Sequence, residues 1–167
     1  MQTFPDRIAG VIVMERWLWG GVGLLALAVA SLFVYKYWPQ EAELPVVSAA
    51  LSSCDVQQGP CSAVIEGLGT VTLTIAPRPV PLVEPLTIKV ETKIPAVRQL
   101  DVDFSGVDMN MGYNRFNLKP IANGLYEGTG MLPVCVRNRM TWEAKVMLTM
   151  GDVVYVAPFR FDTTARR

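Results

Sequence analysis

The hydrophobic pattern of this chain changes once, near residue 40. Before that point one apolar run, Leu18 to Val34 (LWGGVGLLALAVASLFV), carries no charge. With Trp17 and Tyr35 added, at about 1.5 Å per residue, it covers roughly 28 Å, close to the hydrocarbon thickness of a bilayer. Trp17, Trp19, Tyr35, Tyr37 and Trp38 sit at its two ends, where amphipathic rings prefer to lie. After residue 40 no helical periodicity appears. Short alternating runs follow instead: Thr70–Ala76, Leu86–Thr92, Gln99–Val107, Arg115–Ile121, Leu125–Leu132, Thr141–Met150 and Val153–Phe161, with Ala63–Ile65 as a further short one. Gly, Pro, Asn and Asp separate them, as turns do.

This pattern predicts a mostly β protein: a single N-terminal transmembrane helix followed by an immunoglobulin-like antiparallel β-sandwich. The antibody Cys-Trp-Cys signature is absent, so the expectation is one of architecture, with a small β-barrel as the rival. The segments expected are a cytoplasmic tail at 1–16, the helix at 17–38, a linker at 39–53 and a periplasmic sandwich at 54–165 that opens on a cysteine loop. A cleavable signal peptide is the alternative to the anchor, because Ala28-Val29-Ala30 is an A-x-A-like site. Cutting there would leave Leu32-Phe33-Val34-Tyr35 near a new terminus, and the run is long for such a peptide.

Parity along the runs places the side chains. Leu100, Val102 and Phe104 alternate with Asp101 and Asp103, so the even positions face the core. Trp142, Ala144, Val146, Leu148 and Met150 do so in the next long run, and Trp142 is expected to anchor the interior. Val71, Leu73 and Ile75 alternate with threonines.

Charge narrows the partners. The chain has 15 basic and 15 acidic residues, with no basic stripe, so nucleic acid is not an expected partner. Arg7 and Arg16 precede the apolar run and Lys36 follows it. The positive-inside rule then puts the N-terminus in the cytoplasm and the rest outside a bacterial inner membrane. Cys54 and Cys61 flank Asp55-Val56-Gln57-Gln58-Gly59-Pro60, and a disulfide across that loop suits the oxidising periplasm. Reduced thiolates at the two positions are the alternative. Cys135 is left over.

The chain has no histidine. Neither Ser-His-Asp nor Cys-His catalysis can be assembled, and a zinc hydrolase lacks its usual imidazoles, so no enzyme activity is expected. Asp101, Asp103 and Asp108 read as a solvated strand face rather than a Ca²⁺ loop. Six of the eight methionines lie between Met109 and Met150. Met109 and Met111 stand two apart in a turn-rich segment, and at that spacing on an extended chain two thioethers point the same way. Cys135 opens the turn before Arg137 and Arg139, whose charges favour its thiolate. Thioethers plus a thiolate select a soft ion, and Cu(I) through Met109, Met111, Cys135 and Met140 is the metal expectation. Ordinary core packing of the same residues is the alternative, natural for Met131 and Met150 as flexible gap fillers.

The stretch from Val107 to Leu148 resembles the FixH-like and YtkA-like periplasmic domains. Its Met111-Gly112, Leu118, Asn123-Gly124, Tyr126-Glu127-Gly128, Leu132-Pro133 and Trp142-Glu143-Ala144 are similar to a Met-Gly segment, a short strand, an Asn-Gly turn, a Tyr-x-Gly strand, a turn and a Trp-containing strand. The resemblance covers about residues 70–162. It implies a membrane-anchored accessory factor that handles copper and aids assembly of haem–copper cytochrome oxidases. It points to Met109 and Met111. Cys135 and Met140 come from the soft-ligand argument alone. The expected partners are the inner membrane and a cytochrome oxidase subunit or another copper chaperone. The chain departs from the family pattern in lacking histidine near Met111-Gly112 and in adding the Cys54–Cys61 loop. A metal-free docking module of an inner-membrane complex is the second expectation, with Met109, Met111 and Tyr113 as an adaptable contact patch. Thiol exchange at Cys135 is a third.

Overall fold

The structure, a computed structural model, describes residues 6–37, 44–134 and 138–164. It divides into a helical unit ending at Glu43 and a β unit beginning at Leu44.

In the first unit, helix α1 spans Asp6–Tyr37. No proline interrupts that stretch, and Pro39 lies just beyond its end, where helices commonly stop. The helix starts well before residue 17, so residues 6–16, read from the sequence as a tail, are helical. From Trp19 to Tyr37 it is long and apolar enough to cross a membrane, with a mean hydropathy of 1.5. Every side chain in that stretch is exposed.

The β unit holds nine strands: β1 (Val46–Ser48), β2 (Cys61–Ile65), β3 (Gly69–Ala76), β4 (Leu86–Thr92), β5 (Gln99–Gly106), β6 (Arg115–Ala122), β7 (Leu125–Gly130), β8 (Arg139–Met150) and β9 (Val153–Thr164). Their order is β1-β9-β8-β5-β6-β7-β4-β3-β2. All neighbours are antiparallel except β1, which runs parallel to β9. The mostly β, sandwich-like domain expected from the sequence is what forms. Strand β6 joins its two halves. Arg115 to Leu118 pair with β5, and Lys119 to Ala122 pair with β7 across a register shift after Pro120. A strand that changes sheets in this way makes the corner of a two-layer fold.

Alternation drives the core. Val71, Leu73 and Ile75 of β3 and Leu86, Ile88 and Val90 of β4 are fully buried from one half. Phe104, Trp142, Val146, Leu148 and Phe159 are fully buried from the other. The Trp142 indole N–H donates to Thr163 Oγ1 at 2.9 Å, so its one polar atom is satisfied within the interior. The parity expectations for Leu100, Val102, Phe104 and Trp142 match these positions. Asp101 departs from the solvated face expected for it and is only 7% exposed. Asn117 and Gln99 amides each donate to its carboxylate at 2.8 Å and cover it on the outer face.

The segment 39–53, read as a linker, contains β1. Three residues are too few to show a period, and β1 forms because the edge of β9 offers it a ladder from Val154 to Val156. Just beyond it Ser52 bridges Phe159. The Cys54–Cys61 disulfide forms as expected, with Cα atoms 5.6 Å apart. It links this β9-bound segment to the first residue of β2, on the other half of the sheet, and so ties the two outer margins of the domain together.

Candidate functional site

The antiparallel ladders set which loops share an end. Strand β5 finishes at Gly106, opposite Trp142 near the start of β8 and close to the start of β6. The β5–β6 loop (107–114) and the start of the β7–β8 connection (131–134) therefore emerge side by side. Hydrogen bonds fix them. Val107 N–H donates to Thr141 O at 3.0 Å, and Phe104 N–H donates to Asn114 O at 2.9 Å. The Asn114 amide donates to Met131 O at 3.3 Å, across the two loops. Within the first loop Gly112 N–H donates to Asn110 Oδ1 at 2.8 Å. Gly112 has φ +76°, a conformation glycine adopts without penalty.

Gly106 is where the methionines meet. A Cβ at this position would overlap the Met140 methyl and the Met109 carbonyl oxygen, and would stand 3.3 Å from Met111 Cγ. Met111 and Met140 thus border one point, although 29 positions separate them in the chain. Met140 is only 4% exposed and belongs to the core. Met109 and Met111 are half-buried and pack against that core. The side chains of Met111 and Met140 and the backbone of Met109 are therefore gathered around one glycine. Cys135 lies outside the described residues. Met131, which sequence reading allowed as core filler, is 45% exposed. Its neighbour Leu132 takes the buried slot, and alternation turns Met131 outward.

Beside the cluster a groove of about 500 Å³ is lined by Met109, Met111, Asp108, Glu143, Lys145 and Arg160. Its carboxylates and cations are largely matched. Arg160 Nε donates to Glu143 at 2.8 Å, and Lys145 Nζ stands 3.6 Å from the same side chain. Near the β8 start, Thr141 Oγ1 donates to Asp162 at 2.7 Å and Arg139 pairs with the same carboxylate. The Thr141 hydroxyl first, and Arg139 second, hold Asp162 below the usual carboxylate range. Asp162 in turn raises the Arg139 guanidinium. Tyr113, 81% exposed, lies under the Arg115 guanidinium at 5.3 Å. Among the described residues no three His, Cys, Asp or Glu side chains gather as a metal cluster.

Other loops share this end. Val83 N–H donates to Leu132 O at 2.8 Å. Gln57, inside the disulfide loop, accepts from Val80 N–H and donates to Asp162 O, each at 2.7 Å. The sequence reading missed Gly106 and this gathering of loops. A glycine ending a strand just before a methionine pair was the only local signal for the first. Compared with known proteins, the chain matches no family model, no curated protein and no solved structure.

Proposed function

We propose that this chain is a single-pass, membrane-anchored copper-handling protein of the FixH-like or YtkA-like kind, with its β domain in the periplasm. Met109, Met111 and Met140 would hold Cu(I), with Cys135 as a fourth candidate. The observation that carries the reading is the approach of Met111 and Met140 to Gly106. The donor set fits the ion. Thioether sulfur is soft and favours a monovalent soft cation over Zn²⁺ or Ca²⁺. The Glu143 carboxylate beside the groove is already paired with Lys145 and Arg160. Bound there, the ion would be held by readily exchanged ligands, and transfer to a partner such as an oxidase subunit or a second chaperone needs such exchange. The half-buried Met109 and Met111 give the partner an approach, while Met140 anchors the set from the core. Support for the anchor is the exposed apolar helix, and the disulfide and the arginines before the helix favour the periplasmic side.

The test is Cu(I) titration of the full chain in detergent under a mild reductant, against a competing chelator. The expected result is one equivalent retained, and loss of retention in Met109→Leu/Met111→Leu. Absence of retention, or retention unchanged in that variant, removes the metal reading. A second reading, metal-free docking, is favoured by the exposure of Tyr113, Val107 and Met131 on the same two loops. An interaction with oxidase subunits that survives copper chelation would select it.

A further inference from the structure

The methionines around Gly106, two by their side chains and Met109 by its backbone, differ in access. Met140 is 4% exposed, whereas Met109 and Met111 are half-buried and line a groove open to solvent. Met131, on the neighbouring loop, is 45% exposed and is engaged through its backbone carbonyl. Small oxidants therefore reach two members of the cluster and not the third. The space around them is also full, because even one carbon at Gly106 would collide with Met140 and press on Met111.

From this arrangement we propose that Met109 and Met111 form a reversible sulfoxidation site, whose oxidation by hydroperoxides disables the methionine cluster. The proposal rests on the copper reading above for its consequence, though the modification itself does not. In the reaction a sulfur lone pair attacks one oxygen of the peroxide. An S–O bond forms and the O–O bond breaks. For hydrogen peroxide, the oxygen now on sulfur gives up its proton, and the departing hydroxide takes one up and leaves as water. Sulfur loses two electrons and the peroxide gains them. The product replaces a soft apolar donor with a polar sulfoxide. At Met111, which borders Gly106 on one side and the groove on the other, the polar sulfoxide favours the groove side. With both residues converted, one peroxide each, the soft set loses two of its members. Methionine sulfoxide reductases reverse the change.

The experiment uses the full chain in detergent, with Ag(I) as a soft monovalent probe that does not itself react with peroxide as copper does. Hydrogen peroxide is added in steps. Peptide mass spectrometry reads the oxygen gained at each methionine, and a thiol reductant, added and then removed, first restores cysteine. The expected order is Met131 first, then Met109 and Met111, with Met140 at least about tenfold slower. Ag(I) affinity should be unchanged while only Met131 is converted, and should fall about tenfold or more as Met109 and Met111 follow. Methionine sulfoxide reductase should restore it. Prior loading with Ag(I) should slow oxidation at Met109 and Met111 but not at Met131. Oxidation of Met140 as fast as Met111, or Ag(I) binding that survives conversion of Met109 and Met111, overturns the switch alone. No Ag(I) binding before any peroxide is added overturns the copper reading and the switch with it. A Met131→Leu variant should behave like the parent; loss of the peroxide response in that variant would place the effect at Met131 and overturn the assignment.

Discussion

The two ends of the β domain are built differently. At one end the strands reverse through tight turns at Gly67, Gly124 and Gly151, all with positive φ, and the chain enters there through Pro45, whose carbonyl accepts from Val154 N–H. At the other end lie, among the described residues, the connections 77–85 and 107–114 and the segment 131–134, together with the disulfide loop. Short turns hold register and leave little surface to vary. Long loops on a rigid frame are where binding chemistry concentrates. Met109, Met111 and Met131 fall at the long-loop end. Along β9, Val154 beside Pro45 and Thr163 opposite Met140 stand nine residues apart, so at roughly 3.3 Å each the Met140 backbone is about 30 Å from the point of entry.

The largest effect should come from the frame that both ends share. Trp142→Ala removes a fully buried side chain and its hydrogen bond to Thr163, at a cost of about 3–5 kcal/mol. Urea unfolding of the β unit should show this, with both ends lost together. If the long-loop end melts alone, the two ends do not share one core.

Opening the disulfide comes next. Its sequence separation is 7, and on the entropy model a Cys54→Ser/Cys61→Ser variant should lose about 2–3 kcal/mol by the same assay. An unchanged midpoint would mean the covalent tie adds nothing to a margin already closed by packing.

A pair of glycine substitutions sharpens the contrast. Gly106→Ala meets the Met140 methyl and the Met109 carbonyl, and such overpacking costs about 1–3 kcal/mol. It should also disturb soft-metal retention. Gly151→Ala meets open space but carries φ +57°, so only backbone strain of about 1 kcal/mol is expected, with retention intact. Equal effects on retention would undo the assignment of the cluster to one end.

The smallest effect concerns acid. Asp162 has its folded pKa lowered by Thr141 and Arg139. Its contribution is therefore present above the unfolded value near 3.9 and is lost as pH falls through the lower folded value. Thermal melts of Asp162→Asn should match the parent at pH 3 and fall slightly below it at pH 6. A larger gap at pH 3 would contradict the sign.

Much of the frame was legible in the sequence because alternation is local. Leu100, Val102 and Phe104 announce their face within five residues, and the Cys54–Cys61 loop carries its own closure. Strand β1 was not legible, since its reason is the edge of β9, more than 100 positions away. The methionine cluster was half legible. Met109 and Met111 sit in a turn-rich run, but their meeting with Met140 depends on Gly106 pairing with Trp142, a long-range register that no local pattern specifies. Asp101 misled for a related reason, because its cover is a cross-strand amide at Asn117.

The parallel lie of β1 along β9 has a mechanical consequence. A tug transmitted down the chain toward Leu44 pulls β1 along its own length, so its hydrogen bonds to β9 are loaded in shear and resist together rather than unzipping singly. Behind them stands a covalent stop, since Cys54 is bolted to Cys61 on the far margin of the domain. Tension applied at Leu44 is thereby spread across the body of the sandwich before it can reach the loops at the other end.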